Sequence, residues 1–311
     1  MAKSNLMVKV VVFGNQQIAI DCIKLLKKHK NVQILAIVGC EKKGDKNYGY
    51  PSLKNFSKNN SFKFYQPAKL DQRFLRKFKK LKPDLAFSIY FRKLFKPDFI
   101  NIPKMGFINL HSSPLPKYRG PAPTLWALLN DEQYGGFTIH YIDQGIDSGD
   151  IIAQTKFEIP HNITGYELNS LAIKKGYQLF KKNLKNILSS RNSRKKQNNK
   201  EVSYFGYFNP SIRNIDWFLP AKSIYNRIMA LSPPYPGATA KIKGQKIIIA
   251  SAKITRANIT IPRGPGIILR TYSNGDFLVS TVDGSLKITS HHTITQNRAD
   301  LKISSGDRFR I

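Results

Sequence analysis

"MVKVVVFGNQQIAIDCIKLLKKHKNVQILAIV", residues 7–38, holds two apolar runs around a segment of different period. Val8 to Phe13 is a nearly unbroken apolar run, as in a strand buried on both faces, and it stops at Gly14. In "QQIAIDCIKLLKKH" (16–29), Ile18, Cys22, Leu25 and Leu26 fall on one stripe, which predicts a helix. "VQILAIV" (32–38) reads as a second strand. A strand, a helix and a strand in this order predict a parallel pair. Gly14 stands alone in "FGNQQIA", so the three-glycine dinucleotide fingerprint is missing.

The pattern continues outward. "FKFYQ" (62–66), "DLAFSIY" (84–90) and "GFINLHS" (106–112) read as strands, and "LDQRFLRKFKKL" (70–81) as a helix. The expected fold class is α/β, with a Rossmann-like, mainly parallel sheet covered on both faces. Sites in such sheets lie beyond the carboxyl ends of the strands, which places Tyr90 and His111 on the functional edge. A helix over 121–130 follows, then two strands around a loop holding Gly145 and Gly149, then an amphipathic helix over 164–188. "SSRNSRKKQNNK" (189–200) is polar and basic without apolar period, and is expected to be a linker. Beyond it, "AKSIYNRIMAL" is helical up to Pro233 and Pro234, and short strands punctuated by Gly and Asn predict a small β-barrel. The expected layout is a domain over 1–188, a linker over 189–200 and a barrel domain over 201–311.

The 311 residues are 41% apolar, enough for a substantial core. No run reaches the roughly 18 apolar residues of a membrane helix, so no membrane insertion is expected. The amino terminus reads as leading into the first strand rather than as a signal peptide. Cys22 and Cys40 offer no disulfide framework, and a reducing cytoplasm is the expected location. Lys plus Arg is 51 against 19 Asp plus Glu, a net charge of +32. That field suits polyanions, and it equally fits a lysine-rich drift of surface positions. No phosphate-binding loop, nucleophile elbow or metal-ligand spacing is present, so no metal is expected.

The chemistry gathers at the end of the fifth strand. Residues i and i+2 share a strand face, so Asn109 and His111 project together while Ile108 and Leu110 face the opposite layer. An amide donor beside a base is what acyl transfer to an amine requires. "QGIDSGD" (144–150) supplies a carboxylate, Asp147, between glycines that let the loop turn sharply.

"NLHSSPLPKYRGPAPTLWALLN" (109–130), followed by "GFTIHYIDQGIDSGDIIAQ" (136–154), resembles the folate-dependent formyltransferases. By that resemblance the formyl donor is 10-formyltetrahydrofolate. Asn109 would stabilise the formyl oxyanion, His111 would handle the amine proton and Asp147 would position His111. The family's folate pocket maps to Phe87, Ser88, Ile89, Tyr90, Phe91 and Arg92, and to Asp143, Gln144, Gly145 and Ile146. Lys117, Tyr118, Arg119 and Gly120 would shape the acceptor cleft, with Arg119 making either structural or phosphate contacts. Pro114 stands where the family usually has Leu, and Ser112 where Gly or Pro is common.

"YFGYFNPSIRNIDWFLPAKSIYNRIMALSPPYPGA" (204–238) is similar to the family's oligonucleotide-binding-like (OB-like) C-terminal domain. Two acceptor branches then remain: amino sugars on nucleoside diphosphates, and methionine on initiator tRNA. "FSIYFRKLF" (87–95) and "YNRIMALSPPYPGA" (225–238) resemble the sugar branch. "GCEKKGDKNYGYPS" (39–52) lacks the insertion with which the tRNA enzymes grip the acceptor arm. The +32 charge favours tRNA. The sugar branch is the preferred expectation. Hydrolysis at the same site, or RNA binding without turnover, stays open, as does assembly into a homodimer.

Overall fold

The computed structural model describes residues 7–255, 264–293 and 301–310. They form two compact units. The first comprises the chain up to Pro123, Tyr134–Glu158 and Ser170–Gly206, and the second Thr124–Gln133, Ile159–Asn169 and the chain from Tyr207 onward. The expected linker, 189–200, lies wholly within the first unit.

The first unit is built on seven strands: β1 (Val8–Gly14), β2 (Val32–Gly39), β3 (Phe64–Tyr65), β4 (Leu85–Ile89), β5 (Phe107–His111), β6 (Tyr134–Tyr141) and β7 (Ile151–Glu158). The helices along the chain are α1 (Gln16–Lys27), α2 (Leu53–Asn59), α3 (Gln72–Leu81), α4 (Pro97–Ile100), α5 (Pro123–Leu129), α6 (Gly165–Leu188) and α7 (Ala221–Leu231). The sheet order is β3-β2-β1-β4-β5-β6-β7. The first five strands pair in parallel, and β6 and β7 extend the sheet antiparallel. This is the Rossmann-like, mainly parallel α/β sheet expected from residues 7–38.

Both faces are covered, which is why Val10 to Phe13 carry no polar side chain. Phe13 packs among Phe78, Phe95 and Phe107 at ring distances of 5.2, 5.0 and 5.3 Å. Phe87 meets Phe180 of α6 edge-on at 5.2 Å. Two of the helices between the parallel strands, α2 and α3, start at side-chain caps. Ser52 accepts from Asn55 N at α2, and Asp71 from Phe74 N at α3. The strand order reverses between β1 and β4, so the ligand crevice is expected beyond Gly14 and Ile89.

The second unit carries β8 (Ala238–Ile242), β9 (Gln245–Thr255), β10 (Ile268–Thr271), β11 (Phe277–Ser280), β12 (Ser285–Thr293) and β13 (Phe309–Arg310). Their order is β10-β11-β12-β9-β8-β13, with every pairing antiparallel. Ile267 bridges Arg308, and Phe309 N donates to Gly266 O at 2.9 Å. The two edge strands therefore meet beside their ends, and the sheet curls as the OB-like expectation required. Trp217 stacks on Phe309 at 4.7 Å inside it. Residue 294, the end of the expected strand after Ser285, and Ile311 lie outside the described residues. Among the described residues no helix is long and apolar enough to cross a membrane.

Candidate active site

β5 presents Asn109 and His111 on one face, and Ile108 and Leu110 lie buried on the other. Antiparallel pairing with β6 sets His140 directly opposite Asn109. His140 is buried, and its Nδ1 lies 2.7 Å from Tyr141 O. A carbonyl only accepts, so His140 Nδ1 carries the proton and Nε2 is left as an acceptor. Asn109 Nδ2 donates to that Nε2 at 3.1 Å and to Asp147 Oδ1 at 3.2 Å. Both amide N–H groups of Asn109 are thereby engaged.

The same reasoning fixes His111. Its Nε2 donates to Tyr118 O at 2.9 Å, which leaves Nδ1 as the basic nitrogen, 3.7 Å from Asp147 Oδ2. Tyr118 O is held there by a pinned loop. Ser113 Oγ donates to Lys117 O, Thr138 Oγ1 to Ser113 O, and Gln154 Nε2 to Leu115 O.

Asp147 sits in the loop between β6 and β7 with a left-handed backbone, φ +49°. Gly149 lets that loop close, because a Cβ there would lie 1.9 Å from Tyr141 O. Gly120 N donates to Asp147 Oδ2 at 2.9 Å. Gly120 has φ +102°, and a Cβ would lie 2.2 Å from Phe205 O, so only glycine fits. Burial alone would push the Asp147 carboxyl up. His111, His140 and the Gly120 N–H outweigh it and hold the group well below the usual carboxylate range.

Residues 189–206 run as a strap along this loop. Ile151 and Lys195 exchange backbone hydrogen bonds, and Arg194 lies over the Tyr141 ring at 3.7 Å. Gln197 Nε2 donates to Asp147 O and Gly149 O, both at 2.8 Å. Gln197 Oε1 accepts from Arg119 Nη2 at 2.7 Å and Nε at 3.1 Å, and Arg119 Nη1 donates to Tyr204 Oη at 2.6 Å. The Arg119 side chain is buried, with its guanidinium engaged by Gln197 and Tyr204.

Residues 8–184 match the family model "Formyl transferase", and residues 209–303 match "Formyl transferase, C-terminal domain". The chain belongs to the formyl transferase family. A methionyl-tRNA formyltransferase of Clostridioides difficile is 33% identical over 284 residues, 90% of each chain. A solved sugar 3N-formyl transferase, WlaRD, determined with dTDP and 5-N-formyl-THF, superposes with a TM-score of 0.70 at 25% identity, covering 93% of this chain and 99% of its own. The N-formyltransferase of Helicobacter canadensis, in complex with folinic acid and dTDP-3-aminofucose, gives 0.70 at 27% identity, covering 92% and 100%.

In this formyl transferase the remaining sequence-derived positions separate by environment. Phe87, Ser88 and Ile89 are buried in β4, and Phe91 stacks on Phe95 at 5.5 Å. Tyr90 follows β4 at φ +56°, its ring parallel to Phe137 at 6.4 Å. Burial, partly offset by its hydrogen bond with Ser112, pushes its phenol well up, so it remains neutral. Arg92 forms a two-point ion pair with buried Asp45, at 2.7 and 3.0 Å. Asp143, Gln144, Gly145 and Ile146 make an exposed lip beside Asp147, in which Asp143 Oδ1 accepts from Gly145 N and Ser148 Oγ. Lys117 is exposed, and Tyr118 stacks on Phe205 at 4.7 Å.

Three residues of the site escaped the motifs: His140, Gln197 and Asn15. Asn15 follows β1 at the switch point and is buried, with its N donating to Ile89 O. Its Nδ2 has no hydrogen-bond partner among the described residues. A lone buried Asn after a strand ending in Gly was the available signal.

Proposed function

We propose that this formyl transferase moves the formyl group of 10-formyltetrahydrofolate to the amino group of a nucleotide-linked amino sugar. The solved relatives carry this reading. Both match over nearly their whole length, and both were determined with a formylated folate and dTDP or a dTDP-amino sugar. The loop after β2 supports it. Residues 43–48 form one short 3-10 turn, tied to the segment after β4 by the Asp45–Arg92 ion pair, with Glu41 accepting from Ser52 Oγ and Lys54 N. Such a compact, pinned loop suits a small acceptor. The exposed lip fits the donor, since Ile146 offers an apolar surface to a flat ring and the loop backbone offers polar contacts.

The chemistry follows from the tautomers. The acceptor amine attacks the formyl carbon, and His111 Nδ1 takes the proton the amine loses; the bond from the formyl carbon to the folate nitrogen then breaks, and tetrahydrofolate leaves with a proton returned by the imidazolium. Asp147, held ionised, stabilises the imidazolium that forms. Asn109 offers an N–H to the developing oxyanion after releasing one partner. The bond to His140 Nε2 is the cheaper one to release, because the bond to ionised Asp147 is charge-assisted. Cys22 and Cys40 are free and buried, in keeping with a reducing cytoplasm.

A second reading, methionyl-tRNA as acceptor, is favoured by the Clostridioides difficile relative and by the +32 charge. Acceptor competition separates the two. With 10-formyltetrahydrofolate as donor, a panel of nucleoside-diphosphate amino sugars is expected to be formylated. Formylation of methionyl-tRNA alone would overturn the sugar assignment.

A further inference from the structure

Gln197 is the strap side chain that meets the backbone of Asp147 among the described residues. Gln197 grips the carbonyls of Asp147 and Gly149 with its amide nitrogen, and its amide oxygen is gripped by Arg119. Arg119 is followed by Gly120, whose N–H holds the other end of Asp147. The contacts close a ring: Asp147 backbone, Gln197, Arg119, Gly120, Asp147 carboxylate. Asp147 needs such a hold, because its left-handed backbone is uncommon for a non-glycine residue and persists only when its surroundings fix it. Its carboxylate must also stay within reach of Asn109 and His111.

Arg119 points the same way. It is a buried cation that meets Gln197 and Tyr204 rather than a carboxylate. Its backbone is sewn into the strap as well, with Arg119 N donating to Ser203 O and Phe205 N donating to Arg119 O. Nearer its start the strap touches β6 and β7 without reaching Asp147. Asn192 Nδ2 donates to Tyr141 Oη, and Ser193 Oγ donates to Ile152 O. The five basic residues Arg191, Arg194, Lys195, Lys196 and Lys200 are exposed, so the polar stretch turns its charge outward and its one long amide inward.

We propose that Gln197 is a positioning residue for formyl transfer, setting the backbone of Asp147 and through it the geometry of His111 and Asn109. It touches none of the reacting atoms. Its amide is matched to the job: one end donates to two carbonyls and the other accepts from a guanidinium, and no other uncharged side chain of that length does both.

Three variants test this by turnover and by structure. Gln197→Ala removes both halves of the amide. Gln197→Glu keeps the Arg119 grip and loses donation to the Asp147 and Gly149 carbonyls. Ser193→Ala weakens strap docking elsewhere. Release of tetrahydrofolate is followed for each variant with the amine the parent enzyme uses, so the result does not depend on whether that amine is a sugar or tRNA. Gln197→Ala is expected to lower kcat about 10- to 100-fold, with both KM values within about 3-fold. Gln197→Glu is expected to fold, with a Tm below the parent's, without recovering kcat. Ser193→Ala is expected to keep kcat. A crystal structure of Gln197→Ala is expected to show Asp147 out of its left-handed conformation. The proposal is overturned if Gln197→Ala keeps kcat and the Asp147 backbone while only its Tm falls, or if Gln197→Glu turns over like the parent.

Discussion

Asp147 carries the charge of the site, and its environment makes a testable statement about pH. An unfolded Asp titrates near 3.9. In the fold, burial opposes the charge, yet His111, His140 and Gly120 hold the carboxyl below that value. A carboxyl depressed in the fold adds stability above its unfolded pKa and loses it as pH falls through the folded one. The stability difference between parent and Asp147→Asn is therefore expected to be full above about pH 5 and to shrink below about pH 4. Urea unfolding of both proteins across that range measures it, and a gap that stays constant to pH 2.5 would contradict the assignment. Asn109 and His111 were legible at this scale because alternation along a strand is a local property. Their tautomers and donors were not, because these depend on Tyr118 O and His140, which the fold brings in from other segments.

At the scale of elements, the βαβ reading of residues 7–38 held because burial on both faces writes itself into an apolar run. Strand partners are less legible. β6 pairs antiparallel with β5, and that register alone places His140 against Asn109. The polar stretch 189–200 hid its docking for a similar reason, since Ile151 and Lys195 pair through backbone groups whatever the side chains are. Arg92 and Asp45 meet across 47 positions, and neither sequence neighbourhood announces the other. The amino end of α1 carries a prediction of its own. Asn15 precedes the helix without capping it through its side chain, and its buried Nδ2 is unsatisfied among the described residues. An unsatisfied buried donor costs about 1–3 kcal/mol. Asn15→Ala is therefore expected to leave Tm unchanged or to raise it. If the donor awaits a ligand in the switch-point crevice, the same variant raises the KM of donor or acceptor about tenfold. A lowered Tm with unchanged KM values would make Asn15 a purely structural residue.

For the whole molecule the open quantity is the charge. Fifty-one basic residues against 19 acidic ones create a long-range field, whatever the acceptor is. Salt separates a field from a site. A protein that neutralises many phosphates releases as many counterions, and its affinity falls by about 10³–10⁵ between 50 and 200 mM salt for 6–10 phosphate contacts. A nucleoside-diphosphate sugar carries a single diphosphate, so its binding responds far less. The exposed lysines and arginines of the strap are free to attract RNA without taking part in turnover. RNA is accordingly expected to inhibit sugar formylation at 50 mM salt and to lose that effect by 200 mM. Over the same range the KM of the amino-sugar nucleotide is expected to change by less than about tenfold. Initial rates with and without bulk tRNA at several salt concentrations decide the matter. An acceptor KM that climbs as steeply as the RNA inhibition constant would mean that the productive acceptor is itself a polyanion, and the tRNA reading would then take precedence.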